Sequence, residues 1–137
     1  MVNDDKWQEK YVQFQQLQQH IEQITQHVET LNQQNMEIGE TILGLSELEK
    51  AKLGDEVLFP LSNGIFIQGE LKNKEKLLVN VGADVIVEKK SEQVIEMLKV
   101  QQKSIVQKIS DAELILQQFQ QQAMAIYEEV QKAGEIN

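Results

Sequence analysis

The fold of this chain is decided by the stretch DEVLFPLSNGIFIQGELKNKEKLLVNVGADVIVEKK, residues 55–90. Apolar side chains recur there at a period of two and many are β-branched, which is typical of β-strands. The pair Asn63-Gly64 predicts a hairpin turn, KNKE (72–75) predicts a polar loop, and GAD (82–84) predicts another turn. We therefore predict two β-hairpins, built from four short strands near 56–61, 65–71, 76–81 and 85–89.

Both faces of these predicted strands are apolar. A sheet this small cannot cover two apolar faces within one chain, and its outer strands leave unpaired N–H and C=O groups. We therefore expect several copies or homologues to pack their strands into a shared hub. The residues expected in this oligomer hub are Val57, Leu58, Phe59, Leu61, Ile65, Phe66, Ile67, Leu78, Val79, Val81, Val85, Ile86 and Val87.

On both sides of this stretch, apolar residues recur at alternating spacings of three and four, the pattern of a coiled coil. The first helix is predicted over 5–53 with Gly54 as its stop, and the second over 91–133 with Ser91 as its N-cap. The first seam is Trp7, Phe14, Leu17, Ile21, Ile24, Val28, Leu31, Asn35, Ile38, Ile42 and Leu45. The second is Ile95, Leu98, Gln102, Ile105, Ile109, Ala112, Leu116, Phe119, Ala123, Ile126 and Val130.

Two long helices with matched seams predict an antiparallel coiled-coil hairpin. The expected fold class is therefore mainly α with a small β part, in which two central β-hairpins belong to an oligomeric hub. With 137 residues, the chain is expected to form a single unit over 1–137, with 54–90 as the oligomerisation segment. Asn35 interrupts the first seam, and a polar residue at such a position is expected to fix the register.

Composition excludes several classes of function. A formal net charge of −9 opposes binding to phosphate backbones and anionic lipid, so neither nucleic acid nor membrane is an expected partner. The chain has no cysteine, and its N-terminus lacks the basic and apolar regions of a signal peptide. We expect a cytoplasmic protein.

Sites for chemistry are also missing from the sequence. The glycine in VNVGAD is not accompanied by a P-loop lysine or a GxGxxG pattern, so no nucleotide site is predicted. His20 and His27 are seven residues apart, unlike the i, i+4 pair of a helical metal site, and are interpreted as solvated. We expect no enzyme activity, no catalytic residue, no metal and no cofactor.

The hub segment resembles the alpha-type subunit of archaeal prefoldin. The resemblance lies in LGDEVLFPLSNGIFIQGEL (53–71) and LLVNVGADVIVEKKSEQVIEML (77–98), placed between two long helices. It covers 54–98 by motif and the helices by pattern alone. It implies an ATP-independent cytosolic chaperone, in which two alpha and four beta subunits join through β-barrels and six coiled coils project from them. It further implies that the coil tips hold non-native client proteins, which are handed to a group II chaperonin.

The tip segments, defined as residues 1–14 and 114–137, are where a client is expected to bind. Six apolar residues there lie outside the seam and are not needed to close the coil: Tyr11, Val12, Leu114, Ile115, Met124 and Tyr127. Four seam residues, Trp7, Phe14, Phe119 and Ile126, are candidates as well, although ordinary packing also explains them. The alternative to a chaperone is a structural coiled-coil scaffold without clients, either homo-oligomeric or filamentous.

Overall fold

A computed structural model describes residues 4–136 of the chain, with side chains described for 5–133. The order of elements is α1 (Asp4–Leu48), β1 (Glu56–Ser62), β2 (Ile65–Glu70), β3 (Lys76–Asn80), β4 (Ile86–Lys90) and α2 (Ser91–Ile136). Two long helices flanking two small antiparallel hairpins confirm the predicted fold class, which is mainly helical with a small β part. Each of the four strands lies within one residue of its predicted bounds.

The chain divides into two compact units, and α1 and α2 contribute to both. We call Met1–Asn35 with Ser104–Asn137 the coil unit, and Met36–Lys103 the hairpin unit. The coil unit is made of the outer parts of the two helices. The hairpin unit contains the four strands and the adjoining turns of each helix.

In the coil unit the two helices pack antiparallel. The rings of Phe14 and Tyr127 lie 6.4 Å apart between centroids, and those of His20 and Phe119 lie 5.7 Å apart. Residue numbers therefore rise along α1 as they fall along α2. Leu31 is 5% exposed, and Ala112 and Ala123 are similarly buried, so the predicted seam forms the core of this unit.

Burial follows the predicted seams closely along both helices. Each predicted seam residue is buried or half-buried except Val130, which is 41% exposed. The α1 residue at this level is Lys10, one heptad before Leu17 in the seam, and it forms an ion pair with Glu129. Because the Lys10 side chain turns towards Glu129, it does not cover Val130. Asn35, which is predicted to fix the register, is half-buried, and its Oδ1 has no hydrogen-bond partner among the described residues.

Helix α1 ends at Leu48, five residues before the predicted end at Leu53. Lys50 N donates to Glu47 O and Ala51 N donates to Leu48 O, so the chain tightens into i to i−3 turns. Lys74 Nζ then donates to the carbonyls of Glu49 and Ala51, which brings a cation to the negative end of the helix. A lysine distant in sequence thus supports this end, and heptad spacing does not reveal it.

Gly54, predicted as the helix stop, instead leads into the first hairpin. Its φ of +90° is left-handed, which favours glycine, and its N–H donates to Leu71 O at 2.8 Å. Leu71 N donates in return to Asp55 O at 2.9 Å. These two bonds extend the β1–β2 ladder beyond the strands themselves.

The start of α2 also differs from the prediction. Ser91 is the first helical residue, and its buried Oγ has no hydrogen-bond partner among the described atoms, so it is not the N-cap. Lys90 occupies that position, and its N–H donates to Gln93 Oε1 at 3.1 Å, the back-bonding half of a capping box. Ser91 N donates to Glu75 O, which ties the helix start to the residue before β3.

The four strands form two separate two-stranded antiparallel sheets. In β1–β2, Phe59 pairs with Ile67 and Val57 with Gly69, and a bulge between Pro60 and Ser62 precedes the Asn63-Gly64 turn. In β3–β4, Val79 pairs with Val87. Neither sheet pairs with the other in the described part of the chain, so a barrel is not formed by one chain alone.

The second turn lies at 82–84 as predicted, but only one of its left-handed residues is glycine. Val85 N donates to Gly82 O at 3.0 Å, and Ala83 and Asp84 between them have φ of 50° and 60°. Two positive φ values with this bond define a type I′ turn, whose twist matches that of an antiparallel hairpin. Asn80 Oδ1 accepts a bond from Gly82 N and supports the same turn.

Candidate functional site

The hairpin unit exposes an apolar surface that is large for one chain. Ten of the thirteen predicted hub residues are between 50% and 73% exposed, and the three others, Val57, Val79 and Val87, are half-buried. The exposed ten are Leu58, Phe59, Leu61, Ile65, Phe66, Ile67, Leu78, Val81, Val85 and Ile86. Exposed apolar side chains are common singly, whereas ten of them on two short hairpins are typical of an interaction surface.

Strand register places exposed apolar side chains on both faces of the hairpins. In the first hairpin, Phe59 and Ile67 share one face, while Phe66 lies on the other opposite Pro60. In the second, Leu78 and Ile86 lie on the face opposite to the half-buried pair Val79 and Val87. Each hairpin therefore offers two apolar faces, and its edges also carry unpaired backbone groups.

The tip segments carry a second exposed apolar set. The six predicted residues outside the seam, Tyr11, Val12, Leu114, Ile115, Met124 and Tyr127, are between 44% and 61% exposed. The four predicted seam residues, Trp7, Phe14, Phe119 and Ile126, are half-buried and contribute to closing the coil. Both sets are accessible in part; the first lies outside the seam, although the Tyr127 ring also packs on Phe14 across the helix pair.

Two grooves lie along the coil unit, and they differ in chemistry. We call the first the aromatic groove; it is lined by Phe14, Gln18, Ile21, Glu22, Gln120, Ala123, Met124 and Tyr127. The second, the glutamine groove, is lined by Gln13, Gln16, Leu17, His20, Gln122, Ala125 and Ile126. The aromatic groove thus joins seam residues to the predicted off-seam residues Met124 and Tyr127, whereas the other groove has a largely amide rim.

The structure does not bring all ten predicted tip residues together. Met124, Tyr127 and Phe14 meet in the aromatic groove, while Val12 lines a separate depression with Asp5 and Glu9. Ile115 precedes Met124 by nine residues on α2, which is about 14 Å along a helix. The predicted set therefore forms more than one patch.

Sequence reasoning did not predict the ion pair between the helices. Lys10 Nζ donates to Glu129 Oε2 across the coil, and this bond lowers the pKa of the Glu129 carboxyl, with nearby Lys6 and Lys132 adding to the effect. Pairing the two helices antiparallel in register would have placed Lys10 opposite Glu129. The contact of exposed His20 with Phe119 was not predicted either, because it too becomes visible only when the two helices are paired residue by residue.

The described residues do not group His, Asp and Glu side chains into a set of three or more that could hold a metal ion. Within the same part of the chain, neither long helix has a stretch apolar enough to cross a membrane. The described surface carries exposed apolar side chains on the hairpins and in the tip segments.

Comparison with known proteins identifies the family. The family model for prefoldin subunits matches residues 17–135, which includes all four strands, α1 from residue 17 onward and nearly all of α2. The chain belongs to the prefoldin family. This confirms the resemblance found at residues 53–71 and 77–98.

Curated relatives point to the alpha type of prefoldin. The chain is 36% identical over 86 residues to prefoldin subunit alpha of Methanococcus maripaludis strain C7, covering 63% of this chain and 58% of that protein. It is 30% identical over 130 residues to prefoldin subunit alpha of Archaeoglobus fulgidus, covering 95% of each. For the Methanococcus maripaludis and Thermofilum pendens relatives, the match spans little more than half of the relative's length.

A solved structure supports the fold. A filamentous prefoldin from Methanocaldococcus jannaschii, determined by cryo-EM, is similar with a TM-score of 0.57 and 17% identity. The match covers 93% of this chain and 99% of that one. At this level of identity the similarity establishes the shared prefoldin fold.

Proposed function

We propose that this chain is a subunit of an ATP-independent chaperone that holds non-native proteins. In this proposal the whole chain works as one unit, joining two alpha and four beta subunits through the hub residues in a cytoplasmic hetero-hexamer. The tip segments capture clients and deliver them to a group II chaperonin. Catalysis and cofactors have no part in this cycle.

The observation that carries the proposal is the exposure of six apolar tip residues that lie outside the seam. Tyr11, Met124 and Tyr127 are each about half exposed or more, although burying them would stabilise the chain. A buried apolar side chain contributes about 1.5–3 kcal/mol before ordering costs, so one tip with a few contacts holds a client weakly. Several tips in one assembly add their contacts while each contact still opens quickly.

Assembly follows from the hub surface by the same reasoning. Side chains such as Leu78 and Phe66 are more than half exposed on hairpins that are marginal by themselves. Pairing of strand edges with other subunits would satisfy the open backbone groups and bury both apolar faces. The relatives named prefoldin subunit alpha support beta-type subunits as the partners.

The competing function is a structural scaffold, homo-oligomeric or filamentous, that binds no client. The exposed hub favours any assembly and therefore supports this alternative equally. The tip segments separate the two, because a scaffold does not require exposed apolar residues at Met124 or Tyr127.

The experiment is to delete residues 1–14 and 114–137 and to compare assembly with chaperone activity. With beta-type subunits added, light scattering should still detect an assembly, while suppression of aggregation of a denatured protein should be lost. A milder variant replaces Tyr11, Val12, Met124 and Tyr127 with serine, and its control replaces exposed Gln8, Gln15 and Gln121 with serine. Full-length assemblies that never suppress aggregation would establish the scaffold instead.

A further inference from the structure

We propose that the aromatic groove selects one class of client segment, an apolar stretch flanked by lysine or arginine. This inference rests on the proposed holding function and adds to it the chemistry of the segment that is bound. It concerns the coil unit alone and the residues that line its two grooves.

The floor of the groove accounts for the apolar part of the segment. Phe14 and Tyr127 present rings that are tilted by 33° with centroids 6.4 Å apart, and Met124 beside them is 59% exposed. Aromatic faces next to an unbranched thioether suit apolar side chains of varied shape. Aromatic faces also attract cations, so lysine or arginine near the rings is favoured as well.

Charge accounts for the flanks of the segment. Glu22 is the one charged residue that lines the aromatic groove, and it has no ion-pair partner among the described residues. The glutamine groove, by contrast, is lined by amides, a histidine and apolar residues without a carboxylate. A carboxylate beside an apolar floor favours a cation beside an apolar side chain.

The net charge of the coil unit has the same sign as Glu22. Residues 1–35 and 104–137 contain ten Asp and Glu and four Lys, a formal net charge of −6. Three of those lysines, Lys6, Lys10 and Lys132, lie near Glu129, where Lys10 is engaged in the ion pair. A net negative charge around a groove attracts ligands of the opposite charge and repels acidic ones.

The test compares two fluorescent peptides with the same apolar centre, one flanked by lysines and the other by glutamates. Binding to full-length subunits assembled with beta-type partners is followed by anisotropy at about 0.1 M and about 1 M salt, where screening lengths are roughly 10 and 3 Å. We expect the lysine peptide to bind about five- to tenfold more tightly at low salt, and most of that preference to disappear at high salt.

Two variants locate the effect. Glu22→Gln should reduce the preference for the lysine peptide by about threefold, the size expected of one exposed ion pair. Glu29→Gln is the matched control, because Glu29 is exposed on α1 one heptad further along and is not among the residues that line the groove. Equal losses in the two variants would overturn the assignment to the groove.

The remaining outcomes are equally decisive. Equal affinity for the two peptides at low salt overturns this inference while leaving the holding function intact. If neither peptide binds and no denatured protein binds, the holding function itself is overturned. Tight binding of a folded basic protein would show that surface charge alone attracts the ligand, which also overturns the inference.

Discussion

The coil unit and the hairpin unit differ in how far they bury their apolar side chains. In the coil unit the seam is covered by the chain's own second helix, and Leu31 retains only 5% of its exposure. In the hairpin unit Leu78 remains 73% exposed on a paired strand. The same chain thus completes one core by itself and leaves the apolar side chains of its strands exposed.

The difference follows from how each element satisfies its backbone hydrogen bonds. A helix makes its backbone hydrogen bonds internally, so two helices need only a narrow apolar seam to pair. A two-stranded sheet leaves both outer edges unpaired and has two faces to cover. Substitutions in the coil unit should therefore change the stability of the chain, whereas those in the hairpin unit should change its assembly.

The largest effect is expected from Leu78→Asp in the hub. Because Leu78 is exposed in the single chain, the helical circular dichroism signal should not change. In an assembly, an unpaired carboxylate would be buried at each hub contact at a cost of about 3–5 kcal/mol, so assembly should be lost. Native mass spectrometry of the variant mixed with beta-type subunits measures whether the assembly forms.

Lys76→Glu is the matched control for this substitution. Lys76 lies two residues earlier on the same strand and is also exposed, but it places no apolar side chain at the hub. The Lys76→Glu variant should still assemble with beta-type subunits. If Leu78→Asp assembled as well as the control did, the hub would not bury this face.

The second largest effect is expected from Leu31→Ala in the coil unit. Truncating a leucine that is 5% exposed should lower the free energy of unfolding by about 2–5 kcal/mol, because it leaves a cavity in the seam. Leu114→Ala makes the same chemical change at a side chain that is 58% exposed and should cost less than about 0.5 kcal/mol. Thermal unfolding compares the two, and equal losses would contradict the predicted seam.

A smaller effect is expected from Gly69→Ala in β2. A Cβ at this position would lie 2.8 Å from Cε2 of Phe59, which covers Gly69 from the opposite strand. The Phe59 ring can move in the single chain, where it is exposed, but not in a packed hub. We expect a loss of about 1–3 kcal/mol in the assembled form and little change in the isolated subunit.

Phe59→Leu tests the cause of that loss. Combined with Gly69→Ala, it removes the ring edge that the new methyl group would meet, so the assembled stability should recover in part. Thermal unfolding of the single and double variants, each with and without beta-type subunits, provides the measurement. A double variant no more stable than Gly69→Ala would show that Phe59 is not the obstacle.

The smallest effect is expected at the ion pair of the coil unit. Lys10 lowers the pKa of the Glu129 carboxyl, so this pair stabilises the folded chain above the usual titration range of a glutamate. The contribution is lost as the pH falls through the lowered pKa, when the carboxyl is protonated. Glu129→Gln should reduce this part of the acid dependence in thermal unfolding, and high salt should reduce it in the parent chain.

Most of the fold could be predicted from local pattern. The heptads identified the seam along both helices because burial on a helix repeats with its own geometry. The strands were placed within one residue because alternation and the two turns at 63–64 and 82–84 limit them. The end of α1 was not predictable in this way, since Lys74 and the tight turns after Leu48 determine it.

The candidate sites were predictable as sets of residues but not as surfaces. Exposed apolar residues in the tip segments could be found because they fall outside the seam. Their division into an aromatic groove and a glutamine groove depends on which α2 residue faces each α1 residue, as Phe14 faces Tyr127. Register between two helices is a property of the folded pair.

The sequence alone therefore determined the elements, the seams and the excess of apolar side chains on the strands, because these depend on periodicity and on composition. Only the tertiary structure decided where α1 ends, that Lys90 rather than Ser91 occupies the N-cap, and that Glu22 borders the aromatic groove. The support that Lys74 gives to the end of α1 and the position of Glu22 beside α2 depend on residues far apart in the chain, which local spacing does not encode. The N-cap is a local bond between Lys90 and Gln93, but which residue takes that position depends on where the helix begins.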